Sequence, residues 1–424
     1  METGRGGPAW WVALAVAAAT TAGVLALVVT GARLPLWAGL VSPHTFYRAL
    51  VGHVTFSLVV WLLSCSVAVA LHTAGERSEA FPGDSWARVA GLGAFAMLAG
   101  LLSAGRPVVV DYLPYVESPL YLLGYGLFAA GAAGALWRCA RGPARPGPRS
   151  LAAAYAATLA AVGVGLLRAG FDSPQAALWG GGHALQFVYV TALALSWYEL
   201  AGHHDSPHPL TRVGFVLSGA LAWLPALTYF AGDPSVLPRQ ATLNLVQGLA
   251  LSVPTVLHLG ALATLRPCPQ DRADEVSLRW SVGLYLLGGL LAPVGGANTL
   301  RVTAHYHAML VGGVTTAFMG VVYRILQQQG FPVHTRAARW QVRLFGLGVL
   351  LTVAALLVAA SAGVPRKAYL GGGHPWDLPF VLLSAAAALS AVGGAWFLSS
   401  AARALWSSRR APVAPAIPVT SPGR

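Results

Sequence analysis

The stretch VTAHYHAMLVGG, residues 302–313, places two histidines inside an apolar run, and such a run predicts a helix. His305 and His307 are two residues apart, which is about 200° around a helix axis, so their rings point to opposite sides. The two imidazoles therefore cannot bind one metal ion together. If both are ligands, each must serve a site of its own.

Hydropathy places this helix in a membrane protein. The chain is 56% hydrophobic and 10% charged, and apolar runs of about 20 residues, each long enough to cross a bilayer, recur along it. They predict an all-α polytopic membrane protein with twelve transmembrane helices in one domain, residues 1–410, and a disordered Pro-rich tail, residues 411–424. The predicted spans are residues 9–31, 51–74, 86–104, 115–137, 150–171, 176–201, 211–231, 240–265, 278–294, 302–325, 342–363 and 377–402.

Basic residues predict the orientation, because Lys and Arg accumulate on the cytoplasmic side of a membrane. With the N-terminus inside, 19 of the 27 basic residues fall on inner segments. We therefore expect both termini in the cytoplasm and the chain in a bacterial inner membrane. The outer segments hold the other basic residues: Arg33, Arg48, Arg106, Arg168, Arg239, Arg301, Arg366 and Lys367.

Charge and cysteine content exclude several classes of function. The net charge is +13, but the basic residues flank spans and form no long arm, so we expect lipid contact and no nucleic-acid partner. Cys65, Cys139 and Cys268 form neither a C-x-x-C nor a C-x-x-C-H motif. The chain is therefore not expected to carry an attached c-type haem, a thiolate zinc site or a disulfide framework.

Five histidines lie within predicted spans, where ionisable groups are costly and suggest function. With the N-terminus inside, even-numbered spans run from the outer to the inner face. A histidine near the start of such a span, as in spans 2, 6 and 10, therefore belongs to one outer layer, whereas one late in span 8 lies in the inner half. The outer four are His53, His183, His305 and His307, and the inner one is His258.

Four histidines at one depth on three helices are typical of cofactor ligands, because helix bundles build such sites from inward side chains at one level. Imidazole binds iron, copper and zinc, and haem iron takes axial histidines. The back-to-back pair then fits a helix that stands between two flat macrocycles. For each ring alone, the alternative is a neutral histidine bonded to a carbonyl of a neighbouring helix.

These residues resemble subunit I of the haem-copper oxidases, the superfamily of terminal oxygen reductases and nitric oxide reductases. AHYHAMLVGGVTTAFMG, residues 304–320, is similar to the tenth-helix motif of that family. The resemblance implies a twelve-helix bundle with two haems. By that motif His305 would hold the high-spin, reactive haem, while His307 and His53, in ALVGHVTFSLVVW, would hold the low-spin haem.

Two further segments resemble parts of the family's cofactor site. GVPRKAYL, residues 363–370, is similar to the segment whose basic pair binds haem propionates, which would be Arg366 and Lys367; ordinary loop charges are the alternative. GGGHALQF, residues 180–187, resembles the sixth-helix segment with the first ligand of the copper beside the reactive haem. That ligand would be His183.

The chain departs from the family at the non-haem metal. The family usually has adjacent histidines at the outer end of span 7. Counting back from SVPTVLHLGALATL, residues 252–265, which resembles the family's eighth helix, places that position near Tyr229 and Phe230, and no histidine occurs in that span. Tyr229 or Asp233 could offer a substitute oxygen, but an interfacial Tyr and a turn Asp are the favoured interpretation. We therefore expect the full three-histidine copper site to be absent, so a copper or other non-haem metal is left open.

A second departure concerns oxygen chemistry in span 6. The best-known oxidases have a Tyr four residues after the sixth-helix histidine and a Glu two residues after it, where this chain has Phe187 and Leu185. Other groups of the family lack one or both of these residues. The missing Tyr and Glu therefore limit which groups of oxidases the chain could belong to, but they do not exclude the superfamily.

His258 lies where several oxidases carry a polar residue of a proton path. A histidine titrates near neutrality, so His258 could pass protons from the cytoplasm. The alternative is a hydrogen bond between helices.

The resemblance implies a haem-containing oxidoreductase that reduces a small gas, oxygen or nitric oxide. Because the chain lacks a haem c motif and a copper-thiolate motif, electrons must come from a cytochrome c, a cupredoxin or a copper-bearing second subunit. One alternative is a diverged haem protein without the copper centre, acting in electron transfer, haem handling or assembly. Another is a transporter that uses the histidines as a proton relay.

Overall fold

A computed structural model describes residues 7–34, 37–75, 85–142, 145–203, 208–232, 234, 239–265, 269, 271–292, 299–367, 369 and 377–407. Its described residues contain twelve long helical segments, numbered here in chain order. They are α1 (Gly7–Gly31), α2 (Pro43–Thr73), α3 (Ser85–Leu102), α4 (Pro119–Arg141), α5 (Pro146–Ala169), α6 (Pro174–Leu200), α7 (Pro209–Thr228), α8 (Arg239–Leu265), α9 (Arg272–Leu291), α10 (Leu300–Gln328), α11 (Thr335–Ser361) and α12 (Asp377–Ser407). The tail predicted to be disordered lies outside the described residues.

Each segment overlaps one predicted span, but several begin earlier than predicted. Helix α2 begins at Pro43, where the Ser42 hydroxyl accepts a hydrogen bond from the Thr45 backbone N–H at 3.2 Å. Its first turns mix polar residues, His44, Thr45 and Arg48, with apolar ones, so they do not form part of a continuous apolar run. Apolarity marks only the part of a helix that is embedded in lipid, whereas capping residues and proline mark where the helix starts.

Ten of the twelve segments are long and apolar enough to cross a membrane. The two others, α6 and α9, are helical where the sequence predicts spans, so twelve transmembrane helices remain a prediction. Helix α6 is buried along nearly its whole length and contacts α2, α5, α7, α8, α9 and α10. A helix enclosed by other helices can carry polar side chains such as Glu199, because its partners and not lipid surround them.

Two helices contain a π-helical segment. In α2 it covers Thr55–Trp61, directly after His53, and in α10 it covers His307–Val314. Such segments are rare and occur mostly at functional sites, because the extra residue in the turn re-aims neighbouring side chains and carbonyls. Nothing in the hydrophobic pattern predicts them.

A short hairpin lies in the connection between α3 and α4. Its strands are β1 (Pro107–Val108) and β2 (Tyr115–Val116), which pair antiparallel. The turn between them carries Asp111 and Tyr112, and Tyr112 has a positive φ of 66°. The hairpin turn reaches the end of the bundle at which α6 and α10 begin.

A separate 3-10 turn, Ala38–Leu40, precedes α2.

Helices α3 and α4 pack closely through glycines. A Cβ placed on Gly124 would lie 2.5 Å from the backbone nitrogen of Met97 and 2.6 Å from the carbonyl oxygen of Gly93. Small residues of this kind allow two membrane helices to approach until their backbones touch. On the same helix, a Cβ on Gly126 would meet nothing within 4 Å.

We expect Gly124→Ala to destabilise the protein by about 1–3 kcal/mol, because the added methyl group forces the α3 and α4 backbones apart. Gly126→Ala is the matched control and should be neutral or slightly stabilising, since alanine favours a helix. Thermal unfolding in detergent measures both. Equal effects of the two substitutions would contradict this packing.

Candidate functional site

The ring of His53 is held against the neighbouring helix α1. Its Nδ1 atom lies 3.0 Å from the carbonyl oxygen of Ala22. The π-helical segment of α2 begins two residues later, and the Ser57 hydroxyl donates to the carbonyl of His53 at 2.6 Å. Local backbone geometry therefore fixes this ring and the turn that carries it.

The two histidines of α10 lie against different neighbours. Nδ1 of His305 lies 2.7 Å from the carbonyl oxygen of Gly288 in α9. Nδ1 of His307 lies 2.9 Å from the carbonyl oxygen of Thr303, one turn back on its own helix, and the His53 ring is near the His307 ring. The helix thus separates a His305 side from a side shared by His307 and His53.

His183 lies in an aromatic pocket at the same end of the bundle. Its Nδ1 atom is 2.7 Å from the Trp179 carbonyl oxygen, and its ring stacks on the Trp179 indole with centroids 4.0 Å apart. Tyr112 packs edge-on against it at 5.2 Å and donates or accepts a 2.6 Å hydrogen bond with Tyr306. Tyr306 stands between His305 and His307, so the phenol pair connects His183 to the α10 histidines.

One pattern unites the four rings. In each, Nδ1 faces a backbone carbonyl, which assigns the proton to Nδ1 and leaves the lone pair on Nε2. Metal-binding histidines commonly show this arrangement, in which a carbonyl fixes the tautomer and aims the free nitrogen. Within the described ranges, the Nε2 atoms of His53, His305 and His307 have no hydrogen-bond partner.

The predicted basic pair lies beside this site and is joined to Asp111. Arg366 Nη2 is 3.0 Å and Lys367 Nζ is 2.6 Å from Asp111 Oδ1. Gln175, at the start of α6, donates to the other carboxylate oxygen at 3.3 Å and accepts from the Asp111 backbone N–H at 3.2 Å. Burial alone would raise the pKa of Asp111, but the two cations hold it below its ordinary value.

Asp111, Tyr112, Gln175, Arg366 and Lys367 cover the histidine end of the bundle and are together called the cap. Backbone strain is concentrated in it. The two non-glycine residues with positive φ in the described chain are Tyr112 and Lys367, at 66° and 59°. Residues held in such conformations need surrounding contacts to fix them, and they cluster at functional sites. The Arg366 guanidinium also lies over the Tyr306 ring, 5.6 Å from its centroid, so the cap contacts α10 directly.

Sequence reasoning missed Asp111, Tyr112 and Gln175. Their partners are more than 60 residues away, and no spacing connects a loop aspartate to a basic pair 255 residues further along the chain. A weak signal was present, since Asp111 is one of few acidic residues in the predicted outer segments.

Span 7 offers no ready ligand at the positions where the family has copper. The buried Tyr229 hydroxyl accepts from the Gly180 backbone N–H at 2.9 Å and donates to the Ala176 carbonyl at 2.7 Å. Phe230 is exposed on the outside of the bundle. Asp233 lies outside the described residues. In the part of the chain that the structure describes, no three His, Cys, Asp or Glu side chains group into a metal site.

His258 is fully buried and belongs to a separate polar chain. Its Nδ1 atom is 3.1 Å from the Tyr198 hydroxyl, which accepts from the Thr211 hydroxyl at 3.0 Å. Phe215 packs on the imidazole at 4.5 Å, and Nε2 has no partner among the described residues. The hydrogen bond between helices expected as the alternative is therefore present, and the proton path stays a prediction.

No protein-family model matches the chain. A curated protein of Aquifex aeolicus (strain VF5), named only as an uncharacterized protein, is 26% identical over 341 residues, which cover 76% of this chain and 85% of that protein. A haem-copper terminal oxidase dimer solved by cryo-EM matches with a TM-score of 0.73 and 14% sequence identity over 96% of this chain and 84% of its own.

The chain shares the fold of this terminal oxidase. At 14% identity the likeness concerns the fold alone. It supports the oxidase-like helical bundle expected from the α10 motif, while the number of transmembrane helices stays a prediction. The roles of the individual histidines rest on their own geometry.

We expect Asp111→Asn to lower the unfolding temperature at neutral pH, because it leaves Arg366 and Lys367 without their carboxylate. The pKa of Asp111 is lowered in the folded protein, and this sets the sign of the pH dependence. The ionised Asp111 stabilises the protein fully above its ordinary pKa of 3.8, and this contribution is lost as the pH falls through the lower pKa of the folded state. Thermal unfolding of the two proteins across pH should therefore converge in acid. Glu117→Gln, which removes the exposed pair with Arg106, is the control and should change little; a variant Asp111→Asn as stable as the control would contradict the role of the cap.

Proposed function

We propose that this chain is a haem-binding membrane subunit that passes electrons from a low-spin haem to a high-spin haem, where oxygen or nitric oxide is reduced. One observation carries the proposal: histidines of α2, α6 and α10 lie at one end of the bundle, each with Nδ1 bonded to a carbonyl. The Nε2 atoms are the donors that haem iron requires.

The assignments follow the neighbours of each ring. His53 and His307 are near each other on one side of α10 and would together hold the low-spin haem. His305 lies on the other side of α10, against α9, and would hold the reactive haem. When bound, the haems supply one-electron redox chemistry and, on the His305 side, an open coordination position for a gas.

Backbone carbonyls prepare these ligands. Those of Ala22, Gly288 and Thr303 hold the Nδ1 protons, which keeps the rings oriented and makes Nε2 more basic. The three rings are half-buried in the apolar bundle, where the neutral imidazole is the form that costs least. The protein thereby fixes the ligand geometry before the cofactor binds.

Arg366 and Lys367 would bind haem propionates. Asp111 balances one of their two charges, which leaves one positive charge for a further carboxylate. The hydrogen bonds of Asp111 to Gln175 keep the cations next to α10. The cap is thus a preformed anion site whose own carboxylate prevents two bare cations from lying in a half-buried position.

The second candidate is a diverged haem protein without the copper centre, acting in electron transfer, haem handling or assembly. The bonds of Tyr229 favour it, because that hydroxyl is engaged by the α6 backbone and is poorly placed to bind a metal. His183 would then be the one family copper ligand that remains, its ring stacked on Trp179. A copper or other third metal distinguishes the gas reductase from this candidate.

We propose further that the chain lies in a bacterial inner membrane with both termini in the cytoplasm, so that the histidine end faces outward. Electrons would then come from a cytochrome c, a cupredoxin or a copper-bearing second subunit on the outer side.

The test is the optical spectrum of the purified, reduced protein with and without carbon monoxide, together with metal analysis. The proposal expects about two haem irons per chain and a spectral shift with carbon monoxide, as an open iron binds it. Copper or a third iron together with gas consumption supports the reductase. Haem without either supports the diverged protein, and a protein without haem would overturn both and favour a transporter.

Ligand variants separate the two haem positions. We expect His307→Ala and His53→Ala to remove the low-spin signal and His305→Ala to remove the carbon monoxide shift, because each deletes an axial donor. His44→Ala is the matched control: His44 lies on α2 near His53 in sequence but is exposed, and its loss should leave both signals intact. Retention of both signals in all three ligand variants would contradict the assignments.

We propose that His258 takes up protons through the hydroxyls of Thr211 and Tyr198. Tyr198→Phe should then slow gas turnover by about tenfold or more without changing the haem spectrum, since it removes the hydroxyl that faces His258. Ser252→Ala, on the same helix as His258 but exposed, should keep the full rate. An unchanged rate in Tyr198→Phe would leave His258 as a structural residue.

A further inference from the structure

A buried cluster of charged side chains lies at the end of the bundle opposite to the four histidines. Arg324, at the end of α10, is its centre. Its Nε atom is 2.9 Å from Glu199 Oε1, and its Nη1 atom is 3.3 Å from Asp274 Oδ2. His72 Nε2 lies 3.1 Å from the same Glu199 oxygen. Nη1 of Arg324 also donates to the Glu199 backbone carbonyl.

These groups are almost completely removed from solvent. The side chain of Arg324 is 2% exposed, that of Glu199 4% and that of Asp274 8%. Charges are costly to bury, so such a cluster adds little to stability by comparison with apolar packing, whereas removal of one partner is strongly destabilising. A cluster with this balance selects one arrangement of its helices over all others, because every displaced arrangement leaves a buried charge unpaired.

The cluster joins the same four helices that form the histidine end. Each of these helices contributes one group to the cluster and at least one group to the histidine end. The pairs are His72 and His53 in α2, Glu199 and His183 in α6, Asp274 and the Gly288 carbonyl in α9, and Arg324 with His305 and His307 in α10.

We propose that the Arg324 cluster is a positioning device that fixes the axial register of α2, α6, α9 and α10, and so the geometry of the histidine end. The step from Arg324 to His307 is 17 residues of one helix, about 25 Å at 1.5 Å per residue. A helix is stiff along its axis, so a slide at one end appears at the other. A slide of α10 by one helical turn, about 5.4 Å, would break both ion pairs of Arg324.

The π-helical segments explain why the register of α2 and α10 needs to be fixed. Both lie between the cluster and a histidine, in α2 after His53 and in α10 from His307 onward. A π-helical turn holds one residue more than an α-helical turn, so the register of each helix has a neighbouring alternative without that extra residue. The charge pairs are satisfied in one of these registers.

The experiment compares Arg324→Gln, Glu199→Gln and the double variant in the full-length protein. Hydrogen exchange followed by mass spectrometry reads the backbone of residues 300–314, at the histidine end. We expect Arg324→Gln to increase exchange there by about tenfold or more and to lower the unfolding temperature by about 5 °C or more. The double variant should be closer to the wild type than the sum of the single changes, because it removes both charges together.

Arg343→Gln is the matched control, since Arg343 is an exposed cation that lies over the Trp340 ring in α11. It should change neither readout. An increase in exchange confined to residues 320–328 would show that the cluster stabilises its own surroundings only and would overturn the proposal. So would single and double variants with additive effects.

A second readout rests on the proposed function. If the protein binds haem through His53 and His307, Arg324→Gln should also shift the low-spin spectrum, and the double variant should restore part of it. A wild-type protein without haem would reject the proposed function and leave the exchange experiment valid. A haem-binding protein in which Arg324→Gln leaves hydrogen exchange of residues 300–314 unchanged would reject only the positioning role of the Arg324 cluster.

Discussion

The histidine end depends on one interaction, the contact between an imidazole Nδ1 and a backbone carbonyl. A free imidazole can protonate either nitrogen and can rotate about two bonds. The carbonyls of Ala22 and Gly288, on neighbouring helices, remove both freedoms for His53 and His305, and Thr303 does so for His307 from its own helix. Because the carbonyls of Ala22 and Gly288 belong to α1 and α9, helix packing sets the direction of the His53 and His305 rings.

The dependence of the rings on neighbouring helices explains which parts of the site could be predicted from the sequence and which could not. The apolar runs and the positions of the histidines near the start of even-numbered spans predict which helices carry the site, because both are properties of single helices. The α6 segment shows the limit, since a helix enclosed by others does not need an apolar surface. Helix α9 differs, because Asp274, Glu275 and Arg279 lie in its first turns. The partners of Nδ1 could not be predicted, because a backbone carbonyl has no signature in a sequence.

The cap and the buried cluster were missed for a related reason. Asp111 and Arg366 are 255 residues apart, and Glu199 and Arg324 are 125 residues apart, so each pair exists only once the helices are assembled. The basic pair Arg366 and Lys367 was expected from a motif, but its counter-ion was not. Long-range ion pairs have no period and no fixed spacing, whereas the apolar pattern of a helix has both.

Charge distribution divides the molecule into two ends with different physical roles. At the histidine end the groups around the proposed cofactor position are imidazoles and phenols, which can accept a ligand without the cost of burying a net charge. The ions of this end, Asp111, Arg366 and Lys367, lie half-buried at its edge. At the other end the buried groups are ions, which tolerate no displacement once they are paired. The histidine end is therefore where a cofactor would bind. The end with the Arg324 cluster can hold α2, α6, α9 and α10 in register while the cofactor binds. A fully buried ion cluster between α2 and α10 at the histidine end would have to break its pairs whenever a large planar group entered there, whereas the half-buried ions Asp111, Arg366 and Lys367 lie beside that position.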